Sequence, residues 1–333
     1  MLPLTLPILR LLSDGEFHSG AALATHFGMS RASIWNALQG IDAMGVELYK
    51  VRGRGYQMPS PIDWYVLEKI QPHLGRHTAL VDLQVLEIVE STNSLLLQSA
   101  AQKQTHGLCV VAEIQTQGRG RRGRAWQSAL GGSLCFSLGW QFHVGVSQLS
   151  GLSLAVGVAI ARALHELGAA NIQLKWPNDI LHNFHKLGGV LIELQGDALG
   201  PSTTVIGIGL NYRLNAAVKN KIDQAAIDLY SLNRDIATRN QLLGVTVRHL
   251  ADVLDIFAQQ GFGVLRQEWL KLHAYQDKPV MLRMPDGTEI QGVVRDVTLE
   301  GVLVLETAMG ERRFGSGEIS MRPSIKIMQA QKA

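Results

Sequence analysis

The residues best suited to chemistry lie between Gln115 and Trp126, in Gly118-Arg119-Gly120-Arg121-Arg122-Gly123 followed by Arg124. Guanidiniums concentrated on a glycine-rich segment make a cationic loop. Their planar forks match carboxylate and phosphate. The glycines let backbone amides approach the same anion. Two further stretches carry reactive types. One is Lys175-Trp176-Pro177-Asn178-Asp179, a rigid turn bearing a lysine, an indole, an amide and a carboxylate. The other is Lys186-Leu187-Gly188-Gly189, a lysine at the mouth of an apolar run. Taken singly, either lysine reads as a solvated surface group. Together with the arginine loop they describe a pocket that gathers anions.

Gly118-x-Gly120-x-x-Gly123 formally matches a dinucleotide fingerprint, but the surroundings exclude it. Three intervening residues are arginine, and no apolar helix follows. No Gly-Lys-Ser/Thr occurs either, so a nucleotide site here is an unconventional one.

The elements that must position these residues follow from periodicity and caps. Leu83 to Val89 reads as a strand, leading through Ser91-Thr92-Asn93 into a helix with Leu95, Leu96, Leu97 and Ala100. Ser91 or Thr92 is a natural N-cap. The same hydroxyls, the Asn93 amide and free N–H groups also suit a small polar ligand head. Capping and ligand binding both remain open there. Strands are expected from Cys109 to Ile114, Ser133 to Trp140, Ile172 toward Ile180, Lys186 to Glu193 and Val205 to Leu210, the last ending in Asn211. Glycines in that last strand mark a close approach by a ligand or another backbone. Long helices are expected from Leu149 to Leu167 and from Thr238 to Gln260, with a shorter one beginning at Gly261.

Ahead of this region, Leu6 to Leu12, a helix opened by Ser19 and closed by Gly28, and a helix capped by Ser30 form a helix-turn-helix pattern. The third helix has the apolar stripe Ile34, Leu38 and Ile41. Its polar face, Ser30, Arg31, Ser33, Asn36 and Gln39, can meet bases and phosphates. Val46 to Val51 and Tyr56 to Met58 flank Arg52-Gly53-Arg54-Gly55 as a wing, whose Arg52 and Arg54 suit phosphate or the minor groove. A protein-binding helical module is the competing reading. Pro59-Ser60-Pro61 makes a stiff hinge. At the other end, Lys278 to Met284, Thr288 to Val297, Val302 to Glu306 and Glu311 to Phe314 read as short strands of a small SH3-like β-barrel closed by residues 315–322. Expected domains are 1–60, 61–274 and 275–333.

The chain has 333 residues, 46% hydrophobic and 18% charged, and a net charge of +3, too small to imply nucleic acid globally. Cys109 and Cys135 sit in apolar runs and read as buried thiols of a reducing compartment. Met1-Leu2-Pro3-Leu4 lacks the basic start of a signal peptide, and Leu149 to Leu167 is short for a membrane span. The expectation is a cytoplasmic protein without a membrane partner.

In this order, Ser91-Thr92-Asn93, Gly118-Arg-Gly-Arg-Arg-Gly123, Lys175-Trp-Pro-Asn-Asp179, Lys186-Leu-Gly-Gly189 and Gly207-Ile-Gly-Leu-Asn211 resemble biotin–protein ligases. With the winged helix, the resemblance is to the bifunctional bacterial type, which also represses the biotin operon. It implies an α+β multidomain fold: winged helix-turn-helix, central mixed-sheet ligase domain of class II synthetase-like type, and SH3-like C-terminal domain. It implies biotin and ATP as substrates with Mg2+, giving biotinyl-5'-AMP, then transfer to a lysine of the biotin carboxyl carrier protein of acetyl-CoA carboxylase. Lys186 and Arg121 would be catalytic. Ser91, Thr92, Asn93, Gln115, Arg119, Gly120, Arg121 and Lys186 would hold biotin and the adenylate. Gly118, Trp126, Lys175, Asn178, Asn211 and Arg322 would lie around the nucleotide, and Asp179 would ligate the metal. The loop would be disordered when empty and order over the product. The adenylate would act as corepressor, favouring a homodimer on biotin operator DNA. A lipoate–protein ligase-like enzyme and a non-catalytic biotin-sensing regulator are the rivals.

Overall fold

Single side-chain oxygens set the expected helix starts. Ser19 accepts from the Ala22 N–H at 3.0 Å, Ser30 from Ser33 at 3.0 Å, Ser91 from Ser94 at 3.4 Å and Thr238 from Gln241 at 3.2 Å. The computed structural model describes residues 4–323 apart from 103, 197–199, 223 and 316–318. Most of the expected amino-terminal start, and parts of the carboxy-terminal closing segment, therefore lie outside the described residues.

The amino-terminal module comprises α1 (Thr5–Leu12), α2 (Gly20–Phe27), α3 (Arg31–Ala37) and the antiparallel wing β1 (Tyr49–Val51) and β2 (Gly55–Gln57). Leu9, Leu12, Leu23, Ile34 and Leu38 form its apolar core. Two expectations are corrected. α3 stops at Ala37, and Ile41 enters the core from a separate 3-10 turn, Ile41–Met44, because Gly40 is left-handed at φ 74°. The wing strands are shorter than expected because Val46 and Met58 turn into the core.

The central region has α4 (Leu67–Ile70), β3 (Asp82–Val89), α5 (Thr92–Ala100), β4 (Leu108–Gln115), β5 (Ser133–Phe142), α6 (Leu152–Glu166), β6 (Ile172–Lys175), β7 (Asp179–His182), β8 (His185–Gly196), β9 (Ser202–Asn211), α7 (Ala216–Lys219), α8 (Leu229–Leu232), α9 (Arg239–Gln260) and α10 (Arg266–Leu272). Its seven strands join in the order β3-β4-β5-β9-β8-β7-β6, parallel only between β3 and β4. The sheet is therefore mixed. The expected helix from Leu149 is broken at Gly151 (φ 83°), where a Cβ would meet the Cβ of Phe262 at 2.7 Å. The last helix begins at Arg266, not Gly261, because Phe262 is drawn into the core first.

Alternation across the sheet divides its faces. Phe136, Leu138, Val190, Ile206 and Ile208 pack on one face against α6 and α9. The other face carries a row set by register: Asp179 beside Gly189, Gly189 beside Gly209, Gly209 beside Cys135. Strict alternation would turn Lys186 away from this row. A register shift between Gly188 and Lys186 brings it back.

The carboxy-terminal strands β10 (Pro279–Arg283), β11 (Glu289–Val297), β12 (Leu303–Thr307), β13 (Gly310–Phe314) and β14 (Ser320–Pro323) form an antiparallel sheet ordered β13-β12-β11-β10-β14. Val280, Leu282, Val294 and Leu305 join the central apolar cluster. Among the described residues β13 and β14 are unpaired edges, so in its hydrogen bonding the expected barrel is an open sheet.

Candidate active site

A pocket of about 400 Å³ opens over the glycine row. Of the residues lining it, eight are lysine or arginine and one, Asp179, is acidic. Gly207 and Gly209 are required by side chains rather than by backbone. A Cβ on Gly207 would lie 2.1 Å from Asn93 Oδ1, and one on Gly209 would lie 2.5 Å from Trp126 Cε2. The bare strand thus lets Asn93 of α5 and the Trp126 indole press against the same face, over Gly207 and Gly209 in turn.

The charged centre is a triad. Lys186 Nζ is 2.6 Å from Asp179 Oδ1 and Lys175 Nζ is 3.1 Å from Asp179 Oδ2. Burial alone would raise the Asp179 carboxyl, but the two ammonium groups overcome this and hold it well below the usual carboxylate range. Burial depresses Lys175, with Asp179 opposing. Two cations therefore share one anion, which leaves positive charge available to a substrate. The Trp176–Pro177 peptide is cis. Trp176 Nε1 donates to the Gly301 carbonyl at 3.1 Å, which ties down the turn between Lys175 and Asp179.

The arginine loop closes on itself. The Gly120 N–H donates to the Arg124 carbonyl at 2.7 Å, and the Trp126 N–H to the Gly118 carbonyl at 2.8 Å. Arg121 donates to Asn178 Oδ1 at 3.2 Å, and Asn178 in turn donates to the Val190 carbonyl at 2.7 Å. Arg119 pairs with Glu193. The Lys186 ammonium stands 5.9 Å from the Trp126 ring centre.

The structure gathers Ser91, Thr92, Asn93, Gln115, Arg119, Gly120, Arg121, Lys186, Lys175, Asn178, Asp179, Trp126, Asn211 and Arg322 around this one pocket. Their roles differ, however. Ser91 caps α5, which settles one side of the open choice, yet it also lines the pocket. Asn93 gives one amide hydrogen to Leu191 O at 3.2 Å and one to Glu193 Oε2 at 2.8 Å. Asn211 spends its amide on Lys186 O at 3.2 Å and Ile227 O at 3.0 Å, so it anchors the strand that bears Lys186. Arg322 reaches Gln224 Oε1 at 3.5 Å, bringing the carboxy-terminal sheet to the pocket rim. Gly118 is not among the lining residues; a Cβ there would strike the Trp126 carbonyl at 2.8 Å, so it closes the loop instead. Asp179 does not fit a metal ligand, since each of its oxygens already faces an ammonium group. Among the described residues no cluster of three or more His, Cys, Asp or Glu could hold a metal.

Sequence reasoning missed Ser137 and Glu193. Ser137 Oγ donates to Asn93 Oδ1 at 2.5 Å and lies 2.7 Å from Thr92 Oγ1. It is a fully buried serine in an apolar strand, and that was its one available signal. Both cysteines are free and buried; burial pushes the Cys135 thiol up to about 11.

On the amino-terminal module, Arg31, Asn36 and Gln39 are exposed, Ser33 is half-buried, and Ser30 is exposed but engaged with Ser33 at 2.9 Å. Gln39 Nε2 donates to the Trp35 carbonyl at 3.1 Å. Arg52 is exposed at the wing tip, while the Arg54 guanidinium lies 4.0 Å from the Phe17 ring centre. Trp35, missed in the sequence, is 53% exposed on the same helix.

Comparison with known proteins follows the same three parts. The Biotin/lipoate A/B protein ligase family matches residues 85–211, an HTH domain matches residues 5–57, and the Biotin protein ligase C terminal domain matches residues 277–322. The chain is 37% identical over 320 residues to the bifunctional ligase/repressor BirA of Salmonella typhimurium, covering 96% of this chain and 97% of that one. Its likeness to the Escherichia coli BirA is 35% over 321 residues, covering 96% and 98%. Among solved structures, the Aquifex aeolicus biotin protein ligase in complex with biotin and ATP superposes with a TM-score of 0.63 at 28% identity, covering 73% of this chain and 99% of that one.

Proposed function

This chain belongs to the family of bifunctional biotin ligase/repressors, and from that premise we propose how its pocket works. The protein is an ATP-dependent biotin–protein ligase with a DNA-binding repressor module. The observation that supports our reading of the site is the Lys175–Asp179–Lys186 triad lying under the arginine loop in one pocket.

Activation joins two anions, the biotin carboxylate and the ATP α-phosphate. A carboxylate oxygen attacks the α-phosphorus, the bond to the β-phosphate oxygen breaks, and pyrophosphate leaves. Lys186, at the pocket face of the triad, bridges the carboxylate and an α-phosphate oxygen. Arg121, held by Asn178, adds a fork to the developing charge. The Trp126 indole, close against Gly209, walls the nucleotide side. No residue of the triad would need to hold Mg2+; an ion carried by the ATP would supply neutralisation of the phosphate charge. A lysine amine of the carrier protein then attacks the acyl carbon and releases AMP. Ordering of the loop over the adenylate excludes water and accompanies homodimer formation on a two-fold operator. Among the described residues no helix is long and apolar enough to cross a membrane.

The test is direct. Purified protein with ATP, Mg2+ and labelled biotin releases pyrophosphate and labels the carrier protein, while lipoate in place of biotin does not. Absence of pyrophosphate release refutes the ligase. A gel shift on the biotin-synthesis promoter that is unchanged by biotin and ATP together refutes the corepressor role, and unchanged sedimentation refutes the dimer.

A further inference from the structure

Glu193 on β8 is half-buried, is not among the pocket-lining residues, and uses both carboxylate oxygens. Oε2 accepts from Asn93 Nδ2 at 2.8 Å, and Oε1 pairs with the Arg119 guanidinium. Asn93 Oδ1 receives the Ser137 hydroxyl at 2.5 Å, Ser137 Oγ lies 2.7 Å from Thr92 Oγ1, and the Thr92 N–H donates to Gln115 Oε1 at 2.8 Å. These bonds form a polar circuit. It leaves the chain at Gln115, where β4 ends, and returns to it at Arg119, the first arginine of the loop.

The direction of the hydrogens fixes what Glu193 must be. Ser137 donates its hydroxyl hydrogen to Asn93 Oδ1, and the Asn93 amide hydrogens point on to Leu191 and Glu193, while the Thr92 hydroxyl lies 2.7 Å from Ser137 Oγ and 3.1 Å from Gln115 Oε1. Arg119 is likewise only a donor. The residue between Asn93 and Arg119 must therefore accept on both sides, and a carboxylate offers a separate oxygen to each. A glutamine there would turn its NH2 against one of the two. Arg119 is otherwise a long side chain, 41% exposed, with many rotamers. Anchoring one of its nitrogens restricts those rotamers and leaves the rest of the fork for the pocket it lines.

We infer that Glu193 is a positioning residue of the ligase, acting through Arg119 to set the biotin-side wall before substrate arrives. The inference rests on the ligase reading above. It is tested on the full-length protein by a double-mutant cycle of Glu193→Gln and Arg119→Ala, read as KM for biotin, KM for ATP and kcat. Glu193→Gln is expected to raise the KM for biotin roughly tenfold, the size of one charge-assisted hydrogen bond, with kcat and the KM for ATP within about twofold. In the Arg119→Ala background the same change is expected to add less than about twofold, because its route is already cut. Glu193→Asp, which keeps an acceptor on both sides, is expected to recover part of the loss, and it replaces the glutamine variant if that one fails to fold. A wild-type KM in Glu193→Gln, a full multiplicative loss in the double variant, or no advantage of Asp over Gln overturns the inference. A wild-type protein that releases no pyrophosphate refutes the ligase reading instead.

Discussion

Changing Lys186 to Ala and Asp179 to Asn separates chemistry from stability within one triad. Lys186 is the more exposed lysine and contacts Asp179 at 2.6 Å; Lys175 is buried at 3.1 Å from the other oxygen. Without Lys186, Asp179 still keeps Lys175, so no buried charge is stranded. The stability loss is expected to stay near about 1 kcal/mol. The same change removes the cation we propose for the carboxylate and the α-phosphate, an expected loss of roughly 100- to 1,000-fold in kcat/KM. Asp179→Asn reverses the balance. Both ammonium groups lose their anion, and Lys175, already depressed by burial, loses the interaction that opposes its deprotonation. That variant is expected to lose about 3–5 kcal/mol, as when one partner of a buried pair is removed. Urea midpoints and pyrophosphate-release kinetics on the two variants decide. If Lys186→Ala keeps activity within about tenfold, or unfolds as easily as Asp179→Asn, the triad is a structural knot and the assignment of Lys186 is wrong.

Three other outcomes are expected. Glu113 and Arg239 are both fully buried and 2.9 Å apart, with Glu113 also accepting the Tyr65 N–H at 2.7 Å. Glu113→Ala should cost about 3–5 kcal/mol by urea unfolding, and Glu113→Leu with Arg239→Met should recover most of it; an equal loss in both would contradict this. His273 is buried against Trp269 with neither ring nitrogen hydrogen-bonded, and burial lowers it from 6.5 to about 3. Between those values the unfolded chain takes up a proton that the fold refuses, so stability should fall as pH drops from about 6.5 toward 3. His273→Phe should flatten that slope, and an unchanged slope would clear the residue of any part in acid sensitivity. Gly209→Ala places a Cβ 2.5 Å from Trp126 Cε2, so calorimetry should show ATP affinity reduced roughly tenfold with biotin affinity little changed; equal loss of both would argue against Trp126 on the nucleotide side.

Local signals carried much of the fold. Ser19, Ser30, Ser91 and Thr238 cap the helices their positions announce, because a cap needs only neighbours two or three residues away. The break at Gly151 was not legible, since it depends on Phe262, more than a hundred residues further on. The site divides in the same way. Lys175, Lys186 and the arginine loop stood out by type and spacing. That Asp179 serves two lysines depends on its pairing with Gly189 and on the register shift at Lys186, which no single segment reveals. Asn93 and Asn211 lie where expected, yet their amides are spent inside the protein. Glu193 was invisible because its partners, Asn93 and Arg119, come from two stretches far from it in sequence.

Leu130 has a consequence for modular exchange. It lies only a few residues after Trp126, yet its side chain is buried in the apolar core of the amino-terminal module, and its N–H donates to the Met44 carbonyl at 2.9 Å. Asn215 donates to the neighbouring Gly45 carbonyl at 2.6 Å. The DNA reader is therefore not a detachable cartridge on a proline hinge. Severing the chain at Pro59-Ser60-Pro61 strips a leucine of its cover at the end of the segment that carries Trp126 into the pocket. A reader grafted from another protein would have to bring a socket for that leucine, or the graft would loosen the catalytic half along with the DNA-binding one.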